Sequence, residues 1–178
     1  MDEQIDIKIP EVDKIFKEQL KKIAENIIEE FDKNNTNFDY EFLDFMKIAL
    51  WVHKNIKYDL NYVGRYLTPI DIYKMRVGVC HHHTKLCNAL LYSLGYQVIY
   101  AHGYIYNKIY DDYNSTIKHA WSLIKINNKW YPLDPTWGII SGKLPVTHIF
   151  GRYPISNLEY DKECAYLYDE EVLFKYKS

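Results

Sequence analysis

Hydrophobic residues recur at spacings of three and four in the first part of the chain, at Val12, Ile15, Phe16, Leu20, Ile23, Ile27 and Phe31. That period predicts an amphipathic helix over residues 11–33, with Pro10 and Glu11 suited to its first turn. Its apolar stripe is expected to pack on the core rather than on a partner. The polar run Asn34-Asn35-Thr36-Asn37 breaks the pattern. A second helix is predicted from about Asp39 to Lys54, burying Phe42, Phe45, Met46, Ala49 and Leu50. The stretch from Trp51 to Asp59 then passes into an irregular loop containing Gly64. Thr68-Pro69-Ile70-Asp71 reads as an N-cap, a proline at the first helical position and an acidic group near the helix start. The short helix it opens ends at about Arg76. Gly78 marks a turn, and a longer helix follows from about Cys80 to Leu94, with Gly95 as its left-handed stop.

Beyond Gly95 the period changes. Gln97 to Tyr106 is β-branched and aromatic, and residues 107–116 form a polar loop. Ile117 to Ile126 and Lys129 to Leu133 flank Asn127-Asn128, a two-residue hairpin signal. Residues 139–178 read as irregular, with one strand near Glu171 to Tyr176. Helices followed by an antiparallel sheet predict the α+β class. Residues 1–38 read as an N-terminal helical extension packed on the core, and residues 39–178 as the main domain.

Composition narrows the function classes. With 178 residues, 48% of them hydrophobic and 26% charged, the chain can build a sizeable core, and general disorder is excluded. Lys+Arg of 22 against Asp+Glu of 24 leaves a net charge of −2, so neither nucleic acid nor a membrane surface is expected as partner. Met1-Asp2-Glu3-Gln4 lacks the basic and apolar regions of a secretory signal, and no apolar run approaches the ~18 residues that span a bilayer. The expected compartment is cytoplasmic. Three cysteines are too few for a disulfide scaffold and suit free thiols in a reducing environment.

The densest polar cluster is GVCHHHTKLC, residues 78–87. A cysteine after a glycine turn and at a helix start has a specific use. The helix dipole and unpaired N–H groups stabilise a thiolate there, and the same N–H groups can face an oxyanion. A thiolate also needs a proton-transfer partner, and that partner needs orienting. His119 and Asp134 lie on the two strands joined by Asn127-Asn128, near the same end of the pair. They complete a nucleophile, base and orienter set with Cys80.

A metal is the competing reading at this helix. Cys80, His83 and Cys87 can share a helical face, with His119 as a fourth zinc ligand, but the paired Cys spacing of familiar structural sites is absent. No Asp-rich calcium loop is visible, so no metal and no organic cofactor is expected. Cys87 reads as a core thiol and Cys164 as a thiol without a role. His81 and His82 read as exposed or rim residues, His102 as a structural histidine, and His53 and His148 as surface or core residues.

Three stretches, WVHKNIKYD (51–59), RVGVCHHHTKLCNALLYSLGYQVIYAHGY (76–104) and HAWSLIKINNKWYPLDPTWG (119–138), give the chain a more specific likeness. In this order they resemble the transglutaminase-like superfamily, whose core is papain-like. The resemblance covers roughly residues 40–140. It implies Cys80 as nucleophile, His119 as general base and acid, and Asp134 as the residue orienting the imidazole. Tyr58, Trp51 and Asn55 are the candidates for a side-chain oxyanion donor, Tyr58 being preferred. Trp121 and Trp137 flank the triad and are expected to wall the cleft. The implied activity is acyl transfer on a peptide or carboxamide bond of a peptide or protein substrate, with hydrolysis (peptidase or amidase) favoured over transglutamination. The alternative is a catalytically inert peptide- or protein-binding module of the same fold.

Overall fold

The computed structural model describes residues 16–36, 42–106, 116–153, 159–161 and 164. Among them the helices come first: α1 (Lys17–Asn34), α2 (Asp44–Asn55), α3 (Pro69–Met75) and α4 (Cys80–Ser93). Two short strands, β1 (Lys57–Tyr58) and β2 (Val77–Gly78), lie between them and pair in parallel. The chain then forms β3 (Val98–Tyr106), β4 (Thr116–Ile126), β5 (Lys129–Leu133) and β6 (His148–Arg152). These four strands make one antiparallel sheet in the order β5-β4-β3-β6. The α+β expectation holds.

Local sequence explains most of these boundaries. Thr68 Oγ1 accepts from the Asp71 N–H at 3.1 Å, and Asp71 Oδ2 accepts from the Thr68 N–H at 3.0 Å. This reciprocal box starts α3, and Arg76 in the left-handed region (φ 59°) ends it. Asn127 and Asn128 both have positive φ, 50° and 66°, which is the type I′ geometry that matches the twist of β4 and β5.

Helix α4 is the centre of the molecule. It packs on β3 and β4 with one side and on α1, α2 and α3 with the others. The main core joins Leu20, Ala24 and Ile27 of α1 to Ile48, Ala49 and Val52 of α2, to Leu86, Leu90 and Leu91 of α4, and to Ile124 and Leu133 of the sheet. The stripe on α1 therefore does pack on the core. A smaller cluster gathers Val63, Val79, Cys80, Tyr100, Ala120, Tyr160 and Cys164.

Three expectations need correction. Helix α2 begins at Asp44, because Leu43 is extended (φ −74°, ψ 156°); Phe42 precedes the helix and meets Phe31 edge-on at 5.2 Å. Strand β6 lies in a stretch read as irregular. Its register against β3 shifts between His102 and Gly103, and Gly151 is the extra residue of that bulge, so the alternation that signals a strand is broken. The loop after Trp51 holds β1 and a 3₁₀ turn, Leu60–Tyr62. Pro10, Glu11, Val12, Ile15, Asp39, most of the polar loop at 107–116 and the strand near Glu171 to Tyr176 lie outside the described residues.

Candidate active site

Cys80 is the first residue of α4, after the extended Val79 (φ −108°, ψ −169°). The three histidines behind it, read as exposed or rim residues at His81 and His82, are all buried. Their reason is backbone chemistry at the helix start. His82 Nδ1 accepts from the Val79 N–H at 3.0 Å, which leaves its Nε2 to donate to the Arg65 carbonyl at 2.7 Å. His83 lies between two carbonyls, Val79 O at 2.8 Å and Ile56 O at 3.0 Å. His81 Nε2 accepts from the Gly64 N–H at 3.4 Å, and its carbonyl accepts from the buried Tyr160 hydroxyl at 2.7 Å. Burial pushes all three rings toward the neutral form, His82 to about 4. Gly78 is required by this packing, since a Cβ there would sit 2.4 Å from His82 Cβ.

His119 on β4 pairs across the sheet with Gly103. Its Nε2 donates to Asp134 Oδ2 at 2.7 Å, and the Cys80 thiol lies near enough to the ring to favour its charged form. Burial opposes a charged imidazole, but the adjacent Asp134 carboxylate, with Cys80, outweighs it and raises the ring well above its ordinary value. Burial likewise opposes an ionised Asp134, yet His119 and further donors hold the carboxyl far below its usual range. Two of those donors come from the chain just beyond it. Pro135 has no N–H, so the Thr136 and Trp137 N–H groups donate to Oδ1 at 3.0 and 3.2 Å. The loop closes where Asp134 and Ile139 exchange backbone hydrogen bonds, and His53 on α2 reaches the Thr136 carbonyl at 2.9 Å.

A fourth residue stands in the site that sequence reading placed only as surface or core. His148 Nε2 donates to the same Asp134 Oδ2 at 2.7 Å, from a fully buried side chain. Its signal in the sequence is weak, because it comes from a strand hidden by a bulge.

The remaining candidates are spread around this line. Trp121 is buried and tilted beside His119 at 5.9 Å, so it floors the site instead of walling a cleft. Trp137 is 43% exposed, with its ring 6.1 Å from that of His119. Tyr58 is 49% exposed and pairs in register with Gly78, two residues before Cys80. Trp51 is turned toward Tyr73 and Arg76, stacking on the tyrosine at 5.7 Å under the guanidinium. The Asn55 amide donates to the Trp51 carbonyl at 2.9 Å, within its own helix.

The zinc set weighed at α4 is not brought together. Both His83 nitrogens face backbone carbonyls, and the Cys87 thiol is fully buried in the main core. Among the described residues, His119, Asp134 and His148 are the His and acidic side chains close enough to share a metal ion. In this structure both imidazoles hydrogen-bond to Asp134 Oδ2. All three cysteines are free and buried. Cys164, read as a thiol without a role, packs in the cluster that holds Cys80.

Fold and site thus define an α+β protein with a thiol at a helix start beside a buried imidazole–carboxylate pair. The model of the transglutaminase-like superfamily matches residues 17–135, and the chain belongs to that superfamily. Among solved structures it is similar to a protein from Cytophaga hutchinsonii proposed to be a cysteine protease, with a TM-score of 0.56 and 19% identity over 75% of this chain and 41% of that one. A weaker likeness, TM-score 0.44 and 15% identity, relates 71% of the chain to 34% of a TGase. The chain therefore spans less than half the length of either protein. No curated protein matches it. Among the described residues no helix is long and apolar enough to cross a membrane.

Proposed function

We propose that the chain is a cysteine-dependent acyl-transfer enzyme acting on a peptide or carboxamide bond of a peptide or protein substrate, with water as the favoured acceptor. The observation that carries this reading is the buried His119–Asp134 pair, hydrogen-bonded at 2.7 Å, with the Cys80 thiol beside it at the start of α4. In the cycle, the Cys80 thiolate attacks the carbonyl carbon, and the oxyanion is met by the N–H groups at the start of α4. Tyr58, beside Gly78, is the side chain preferred to assist them. His119 gives its proton to the leaving amine, then takes one from the water that attacks the thioester. Asp134 holds the imidazole in the Nε2–H tautomer throughout. Trp137 provides an exposed wall for the substrate beside the ring. A reducing, cytoplasmic setting suits the three free thiols.

Iodoacetamide tests this without a known substrate. At pH 6 Cys80 is expected to alkylate at least ~10-fold faster than Cys87 and Cys164, because it alone is paired with an imidazolium. Cys80→Ala should remove the fast phase and leave the thermal midpoint nearly unchanged. A Cys80 rate that rises only above about pH 8, as for an ordinary thiol, sinks the enzyme reading in favour of an inert binding module.

A further inference from the structure

We propose that His148 is a positioning residue of this site, holding Asp134 Oδ2 where His119 needs it. The inference deepens the acyl-transfer reading and rests on it. Its ground is geometric. Asp134 Oδ2 accepts two N–H donors at 2.7 Å, one from His119 and one from His148, while Oδ1 accepts two backbone donors. With donors on both oxygens, rotation of the carboxylate breaks hydrogen bonds at either end. Without His148, His119 would be the one remaining donor to Oδ2 among the described residues, and its proton must move in each cycle.

The surroundings of His148 fix its orientation. A carboxylate only accepts, so Nε2 carries a proton, and Nδ1 faces the Thr147 hydroxyl at 3.2 Å. The ring stands edge-on to His119, Trp121 and Trp137 at 5.3, 5.4 and 4.9 Å. It has no room to swing away from Asp134. Gly103 makes this approach possible. A Cβ there would come within 2.5 Å of the Trp121 ring and 2.1 Å of the Ile149 carbonyl, so only glycine lets β6 and that indole close over the site. The charged and titratable groups around His119 are then Asp134, His148, Cys80 and, from β3, His102. Among these His148 alone serves the carboxylate without being part of the triad. A buried histidine that merely filled space would have no need to place Nε2 on the oxygen His119 already uses.

The test compares iodoacetamide alkylation of Cys80 across pH in the full chain, in His148→Phe and in His148→Gln, with thermal midpoints for each. Phenylalanine keeps the bulk and removes the donor; glutamine keeps an N–H near Nε2 and cannot titrate. The expected result is a loss of about 10- to 100-fold at pH 6 in the Phe variant, the scale of one hydrogen bond to a charged group, with most of the rate restored by Gln. A folded Phe variant that reacts like the parent overturns the proposal. Equal losses in both variants overturn it too, since the ring and not its donor would then matter. Should the Phe variant fail to fold, nitrogen-15 NMR of the unaltered protein decides: His148 protonated on Nε2 supports the proposal, and a proton on Nδ1 alone refutes it. That tautomer is read whether or not Cys80 proves reactive. A parent protein without a fast phase at pH 6 therefore removes the acyl-transfer reading and leaves the His148 contact separately decided.

Discussion

At His119 burial and charge act in opposite directions. Desolvation alone would keep the ring neutral, as it does at His82 and His102, both held near 4. The difference at His119 is the carboxylate 2.7 Å from Nε2. Asp134→Asn removes that charge while keeping the shape. The burial effect is then left uncontested, so the His119 pKa should fall below its ordinary 6.5. Alkylation of Cys80 at pH 6 should slow at least ~10-fold. The amide also presents a donor where two N–H groups need an acceptor, at a cost of about 1–3 kcal/mol in a urea titration. An Asn variant whose His119 still titrates above 6.5 would show that the carboxylate is not the cause.

At the scale of the element, the start of α4 is built from side chains that serve the backbone. Helix α3 ends at Arg76, β2 pairs Gly78 with Tyr58, and the chain turns into α4 with His82 against Gly78. Gly78→Ala places a methyl 2.4 Å from His82 Cβ. The ring must then leave the Val79 N–H and the Arg65 carbonyl, and the first turn of α4 shifts with it. The expected cost is roughly 1–3 kcal/mol, the usual range for overpacking, together with a slower Cys80. Urea unfolding and alkylation at pH 6 measure both, and an Ala variant equal to the parent in each refutes the role given to His82.

Across the whole molecule, these rings make acid stability a property of the interior. His81, His82, His83 and His102 all have native values below the unfolded 6.5. Between those values the unfolded chain binds more protons than the native one, so stability is present above pH 6.5 and is lost as pH falls toward 4. For His82 and His102 the loss is roughly 3–4 kcal/mol each when complete, at ~1.4 kcal/mol for each pKa unit. The His119–Asp134 pair behaves differently. With His119 raised and Asp134 lowered, its contribution is whole between 3.8 and 6.5, falling below that window through Asp134 and above it as pH passes the raised His119 value. The thermal midpoint should therefore drop steeply from pH 6.5 to 4 while the pair is still intact. A flat midpoint over that range would mean the buried rings are not kept neutral.

Periodicity, caps and turn residues were enough to read α1, α3, α4 and the β4–β5 hairpin from the chain, because each depends on neighbours a few residues apart. Cys80, His119 and Asp134 could be singled out by their order and spacing, and the fold brings the His119 ring onto Asp134. The burial of His81 and His82, the strand β6 and the place of His148 were not legible. Each depends on a partner distant in sequence: Arg65 for His82, Tyr160 for His81, and β3 with its bulge for β6. A histidine triplet reads as polar until the carbonyls that accept from it are in place. Local propensity thus settles which segments become helix or strand, but only packing brings β6 across Gly103 and puts a second imidazole on Asp134.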